Sequence, residues 1–126
     1  MEARTHALVR GATIAAAVGA AALSPVPMAD EVLLLPTFLG LGAVVGRRHG
    51  LDLRQIPWAT LGKAAVLVLT SRAGFNATVA FVPGVAAAVN ATTAYALTST
   101  YGNWVDSVCT RVASLERRRA GQRAAR

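Results

Sequence analysis

From Ala73 to Val105 the chain carries no charged residue, and that run is broken once, at Val82-Pro83-Gly84. Proline has no backbone N–H and biases the residue before it away from the helical region, while glycine accepts almost any backbone angle. The tripeptide therefore reads as a turn between two apolar helical arms. Extending the first arm back past Arg72 to Ile56-Pro57 makes each arm roughly 20 to 25 residues long, the length that a bilayer-spanning helix needs.

The first half of the chain repeats this plan. Gly11 to Leu23 is an Ala-rich arm, Ser24-Pro25-Val26-Pro27 is a breaker, and Val32 to Gly46 is a second apolar arm. Pro25 and Pro83 are corresponding turns, with Pro27 and Gly84 as further turn residues, in a duplication of architecture and not of letters. The expected fold is all-α: four helices as two consecutive helical hairpins, packed through small residues and embedded in a membrane. Residues 1–10 form a basic N-terminal segment, 11–105 the two-hairpin domain, and 106–126 an amphipathic helix extension with a polybasic tail.

Composition points the same way. The chain is 54% hydrophobic and 15% charged, whereas soluble domains carry about 25% charged residues. Its apolar mass comes from Ala, Val and Leu, with only three Phe, two Trp and two Tyr. A water-soluble core draws on larger side chains, whereas close helix packing in lipid is served by small ones.

Basic residues cluster in three places: Arg4 and Arg10 at the start, Arg47, Arg48, Arg54 and Lys63 around the middle, and Arg111, Arg117, Arg118, Arg119, Arg123 and Arg126 at the end. The two turns hold no basic residue. By the positive-inside rule, both termini and the central linker face the cytoplasm of a bacterial inner membrane, with the turns at the far side or buried part-way. Trp58, Tyr101 and Trp104 fall beside the basic segments, where an interfacial aromatic belt belongs, although ordinary core positions would account for them equally well.

Small residues recur every four positions: Gly42, Gly46 and Gly50 on the second arm, and Ala86, Asn90, Ala94, Thr98 and Gly102 on the fourth, with Ala15 and Gly19 as a shorter version on the first. Such ridges let backbones approach closely, either within one chain or between copies as a homo-oligomer. Arg72 strains the membrane picture, because a charge at the bilayer centre costs about 2.5 to 3.5 kcal/mol on insertion scales. It requires a partner such as Asp30, Glu31, a carbonyl freed at the Pro83 turn or water, or else a hairpin that only dips into the bilayer or lies in a water-soluble bundle.

Val105, Val108, Cys109, Val112 and Leu115 share one helical face, so the tail should extend the fourth helix. Beyond them Arg117, Arg118, Arg119, Arg123 and Arg126 form a membrane-surface set suited to anionic headgroups, each contributing about 1 kcal/mol near such a leaflet. Nucleic acid is a weaker partner for the net charge of +7, because no aromatic or base-reading module accompanies the arginines.

Enzymatic chemistry finds no foothold. Gly40-Leu41-Gly42-Ala43-Val44-Val45-Gly46 resembles a variant dinucleotide fingerprint, but no acidic residue follows about 20 positions on and there is no room for a doubly wound sheet. His6 and His49 are far apart, Cys109 is alone, and no triad, metal set or phosphate loop is present, so neither catalytic residues nor cofactors are expected. His49 lies at the end of its helix, where a cation meets the negative dipole end. Asn76-Ala77-Thr78 and Asn90-Ala91-Thr92 match glycosylation acceptors, but within apolar arms they read as packing residues. Arg4 and Arg10 before an apolar stretch also satisfy part of a signal peptide, with Ala29 before the cut; Pro27 at a small-residue position and the scarcity of Leu count against it.

The order of Pro25-Val26-Pro27 and Asp30, His49-Gly50-Leu51-Asp52-Leu53, Arg72, Val82-Pro83-Gly84-Val85, Thr93-Ala94-Tyr95-Ala96-Leu97 and Gly102 resembles the bacterial membrane-associated domain of unknown function typified by the YcjF proteins. The resemblance implies a compact four-helix domain associated with a membrane and with an Era-like or dynamin-like GTPase. Since no GTPase lies in this chain, that partner would act in trans. The expected function is a non-enzymatic anchor or assembly module for a cytoplasmic partner. A pore-forming or membrane-remodelling hairpin and a secreted helical bundle are the alternatives.

Overall fold

The computed structural model describes residues 3–23, 29–79, 82 and 85–126. Four helices account for nearly all of them: α1 (Ala3–Leu23), α2 (Ala29–Arg48), α3 (Trp58–Val79) and α4 (Ala86–Ala124). Pro25, Pro27, Pro83 and Gly84, the expected turn residues, lie outside the described residues.

Local sequence explains where helices begin and end. The Ala-rich composition of α1 favours helix strongly. Pro36 sits inside α2, where it removes one backbone hydrogen bond, and it lies on the exposed side of the helix. The end of α2 is closed by a paired turn: Leu51 N–H donates to the Gly46 carbonyl at 3.1 Å and Gly50 N–H to that of Arg47 at 3.0 Å. Gly50 makes this possible with φ +76°, and Leu51 buries its side chain behind it. The connector then folds on itself, with Asp52 N–H donating to Gln55 Oε1 at 2.8 Å and Trp58 Nε1 to the Leu53 carbonyl at 2.7 Å. The fourth helix runs for 39 residues without a proline.

Side-chain pairs give the helix directions. Phe38 stacks on Tyr101 with ring centroids 4.4 Å apart, and eight residues further along α2 Gly46 lies against Cys109. α2 and α4 therefore run parallel. Gly42 lies against Leu61 and Trp58, and Gly46 against Ile56, so α3 runs opposite to α2. The same holds between α3 and α4, since Tyr101 Oη donates to the Leu61 carbonyl at 3.1 Å while Arg72 Nη2 donates to the Asn90 carbonyl at 3.1 Å. α1 makes its most extensive contact with α4 and does not touch α3 among the described residues. The bundle is thus a central α2–α4 pair flanked by α1 on one side and α3 on the other. Phe38, Val45, Leu61, Val105 and Cys109 are fully buried at its centre.

The structure bears on three expectations. Four helices without strands are present among the described residues, but none is long and apolar enough to cross a membrane. The reason is composition: the arms are long enough but are filled with Ala, Gly, Thr and Ser, which carry little hydrocarbon, and α3 contains Arg72. Second, the four helices are hairpin-like as expected, and α1 packs on α4 more extensively than on its sequence neighbour α2. Third, of the two readings of Tyr101 the core one holds: it is 3% exposed, between Phe38 and α3.

Candidate functional site

The small-residue ridges are where the helices meet. An added Cβ on Gly42 would come 2.8 Å from Leu61, one on Gly46 2.8 Å from Ile56, and one on Gly102 2.6 Å from Val9. Asn90, Ala94 and Thr98 are buried and Ala86 is half-buried on the same face of α4. Gly50 departs from its ridge, since it lies past the helix end in a left-handed turn with open space around it. Ala15 is exposed and Gly19 meets nothing within 4 Å, so the first arm has no close approach there. Arg72 is a buried charge as expected, 2% exposed, and one of its partners is the Asn90 carbonyl within α4; the side chains of Asp30 and Glu31, the other expected partners, lie outside the described residues.

Chain direction sorts the surface into two ends. Leu23 and Ala29 are close in sequence, which limits their separation to about 20 Å, so the end of α1 lies near the start of α2. The start of α4 and the end of α3 share that end of the bundle. Towards it the exposed apolar side chains are Val18 on α1, Val32 and Leu33 on α2, Phe75 on α3, and Val82, Val85 and Tyr95 around the start of α4, while Ile14 borders Arg10 and Val66 and Leu67 border Lys63 nearer the middle. Hydroxyls on this surface are satisfied within their own helices: Thr70 donates to the Val66 carbonyl at 2.7 Å, Ser71 to Leu67 at 2.9 Å, Thr78 to Gly74 at 3.0 Å and Thr92 to Ala88 at 2.8 Å. A side chain bonded one turn back leaves no donor that needs water.

The opposite end is basic. Arg4 and Arg10 at the start of α1, Arg47 and Arg48 at the end of α2, Arg54 in the connector, Lys63 near the start of α3 and the α4 arginines are all exposed there. Leu53 and Leu115 are also exposed among them. His49 bridges the two central helices, its Nε2 lying 2.9 Å from Asp106 Oδ1. Behind it, the connector and the last turns of α4 enclose a cleft of about 500 Å³, open on one side and lined by His49, Gln55, Glu116, Arg117, Arg119 and Arg123 among others. Arg119 Nη1 sits 3.0 Å from Glu116 Oε1. Cys109 is a free thiol beneath this end, its pKa raised above 9.0 by burial and then by Asp106.

The His49–Asp106 pair is absent from the expected features, although its parts were on view. Asp106 is the first carboxylate after a long uncharged run, and His49 ends a helix whose basic partners line the same end of the bundle. Among the described residues no three His, Cys, Asp or Glu side chains gather into a metal-binding group. No known family, curated protein or solved structure matches the chain. The resemblance to YcjF-type domains rests on the order of short motifs alone.

Proposed function

We propose that this chain is a non-enzymatic membrane anchor whose uncharged end enters the bilayer of a bacterial inner membrane from the cytoplasmic side. Its basic end lies at and above the anionic headgroups, with both termini in the cytoplasm. One observation carries this reading: apolar side chains are exposed on all four helices towards the uncharged end, while lysine and arginine run from the middle of the bundle to the other end. Exposed apolar surface of this kind marks an interaction face, and arginines beyond it match an anionic leaflet.

The internally bonded hydroxyls of α3 and α4 support lipid over a protein partner at the apolar end, because they ask nothing of their surroundings. The uncharged part of α4, from Ala86 to Val105, is about 30 Å long at 1.5 Å per residue, but it is not apolar enough to cross a bilayer, so this end dips into lipid and does not span it. The α4 extension then stands in the cytoplasm as an attachment point. The class of partner implied by the family resemblance is a GTPase acting in trans.

The test is alkaline carbonate extraction of membranes from bacteria that express the full chain with a carboxy-terminal tag. Retention in the membrane pellet is expected, and a tag cut by protease only after spheroplast lysis would agree with the orientation. Release into the supernatant would overturn the anchor reading.

A further inference from the structure

The cleft between the α2–α3 connector and the end of α4 is not needed for anchoring, and its wall has an unusual chemistry. Arg117, Arg119, Arg123 and His49 line it, and the carboxylate among them, Glu116, is held by Arg119 at 3.0 Å. A second hollow of about 230 Å³ shares Arg119 and Arg123 and adds Arg126. A cation in the last turn of a helix complements the helix dipole, which accounts for Arg123. Arg117 and Arg119 lie a turn or more earlier, where that effect has faded.

We propose that this cleft is a binding site for a dianionic phosphate ester or pyrophosphate. Guanidinium groups match phosphate oxygens two at a time, and three forks around one hollow suit a group with several such oxygens. The volume is that of small-ligand sites. The wall is also held in place: the Gly50 turn fixes the connector, Asp106 fixes His49, and the small side chains of Ala113 and Ala120 keep the floor open.

The ligand's source follows from height, a step that rests on the anchor reading. From Trp104 at the membrane boundary to Arg117 is about 20 Å along the helix, whereas each headgroup layer is about 5 to 8 Å thick. The cleft thus stands above the lipid phosphates and takes its ligand from water.

The experiment is a calorimetric titration of the full chain with inorganic pyrophosphate, in detergent or in nanodiscs of phosphatidylcholine alone. Saturable one-to-one binding is expected. R119Q/R123Q should weaken it about tenfold or more, while R4Q/R10Q, which removes the same charge outside the cleft, should change it less than about twofold. All four arginines are exposed, so the variants keep the fold, and circular dichroism checks this. Equal weakening by both variants, or no saturable binding, would overturn the site. Tighter binding of a polyglutamate peptide than of pyrophosphate would also overturn it in favour of an acidic protein segment. Binding that appears only when phosphatidic acid is placed in the nanodisc would keep the phosphate chemistry but overturn the water-borne source. Carbonate extraction of R4Q/R10Q reports on the anchor separately, so either reading can fail without the other.

Discussion

His49 and Asp106 lie 57 positions apart in the chain, yet their side chains meet at 2.9 Å between the end of α2 and the middle of α4. The contact joins the two parallel central helices at the basic end, with both side chains mostly shielded from water. Hydrogen bonds to a charged group contribute about 1.5 to 3 kcal/mol. H49A and D106N should therefore each lower stability by about 1 to 2 kcal/mol, read from urea unfolding midpoints. The double variant should cost less than the sum of the two, because the bond can be lost only once. Strict additivity would show that the pair contributes nothing.

Among the described glycines Gly102 makes the tightest approach, with Val9 Cγ1 only 2.6 Å from where a Cβ would stand. Valine is stiff and cannot swing aside. G102A should cost about 1 to 3 kcal/mol, and V9A in the same chain should restore part of that loss. If G102A alone leaves the thermal midpoint unchanged, α1 does not pack on α4 in this register.

At Gly50 the left-handed backbone, φ +76°, penalises any residue with a Cβ. G50A should lose about 1 to 2 kcal/mol, and G50N less, since asparagine tolerates this region better. Equal stability of wild type and G50A would mean that α2 ends differently in solution.

Cys109 lies beyond the uncharged part of α4, and its thiol is pushed up from 9.0, by burial first and then by Asp106. Its folded pKa lies above its unfolded one, so this contribution is intact below pH 9 and is lost as pH climbs above it. Denaturant midpoints should fall from about pH 9 upwards, and C109A should fall less steeply. An identical decline in C109A would remove Cys109 as the cause.

The helices and their small-residue faces were readable because both depend on local order. An uncharged run, a four-residue spacing and a proline breaker are visible without knowing any partner, and Gly42, Gly46, Ala94, Thr98 and Gly102 are buried accordingly. What sequence could not supply was pairing across distance. One Arg72 partner is the backbone carbonyl of Asn90, and every residue has a carbonyl, so no letter marks that contact. Gly50 carried on a spacing of four by coincidence, where a left-handed turn was what required glycine. The cleft arginines were legible as charge but not as a wall, since the connector that faces them is brought there by the Gly50 turn.

Because α4 is a single proline-free helix of 39 residues, whatever happens at one end is felt mechanically at the other. It is about 58 Å long at 1.5 Å per residue, so a tilt of about 10° in the bilayer would carry its tip sideways by about 10 Å. On the anchor reading it has two arms of similar length, about 30 Å from Ala86 to Val105 towards lipid and about 28 Å from Asp106 to Ala124 carrying the arginines. A change in the tilt of the first arm would then displace whatever is held at the tip of the second.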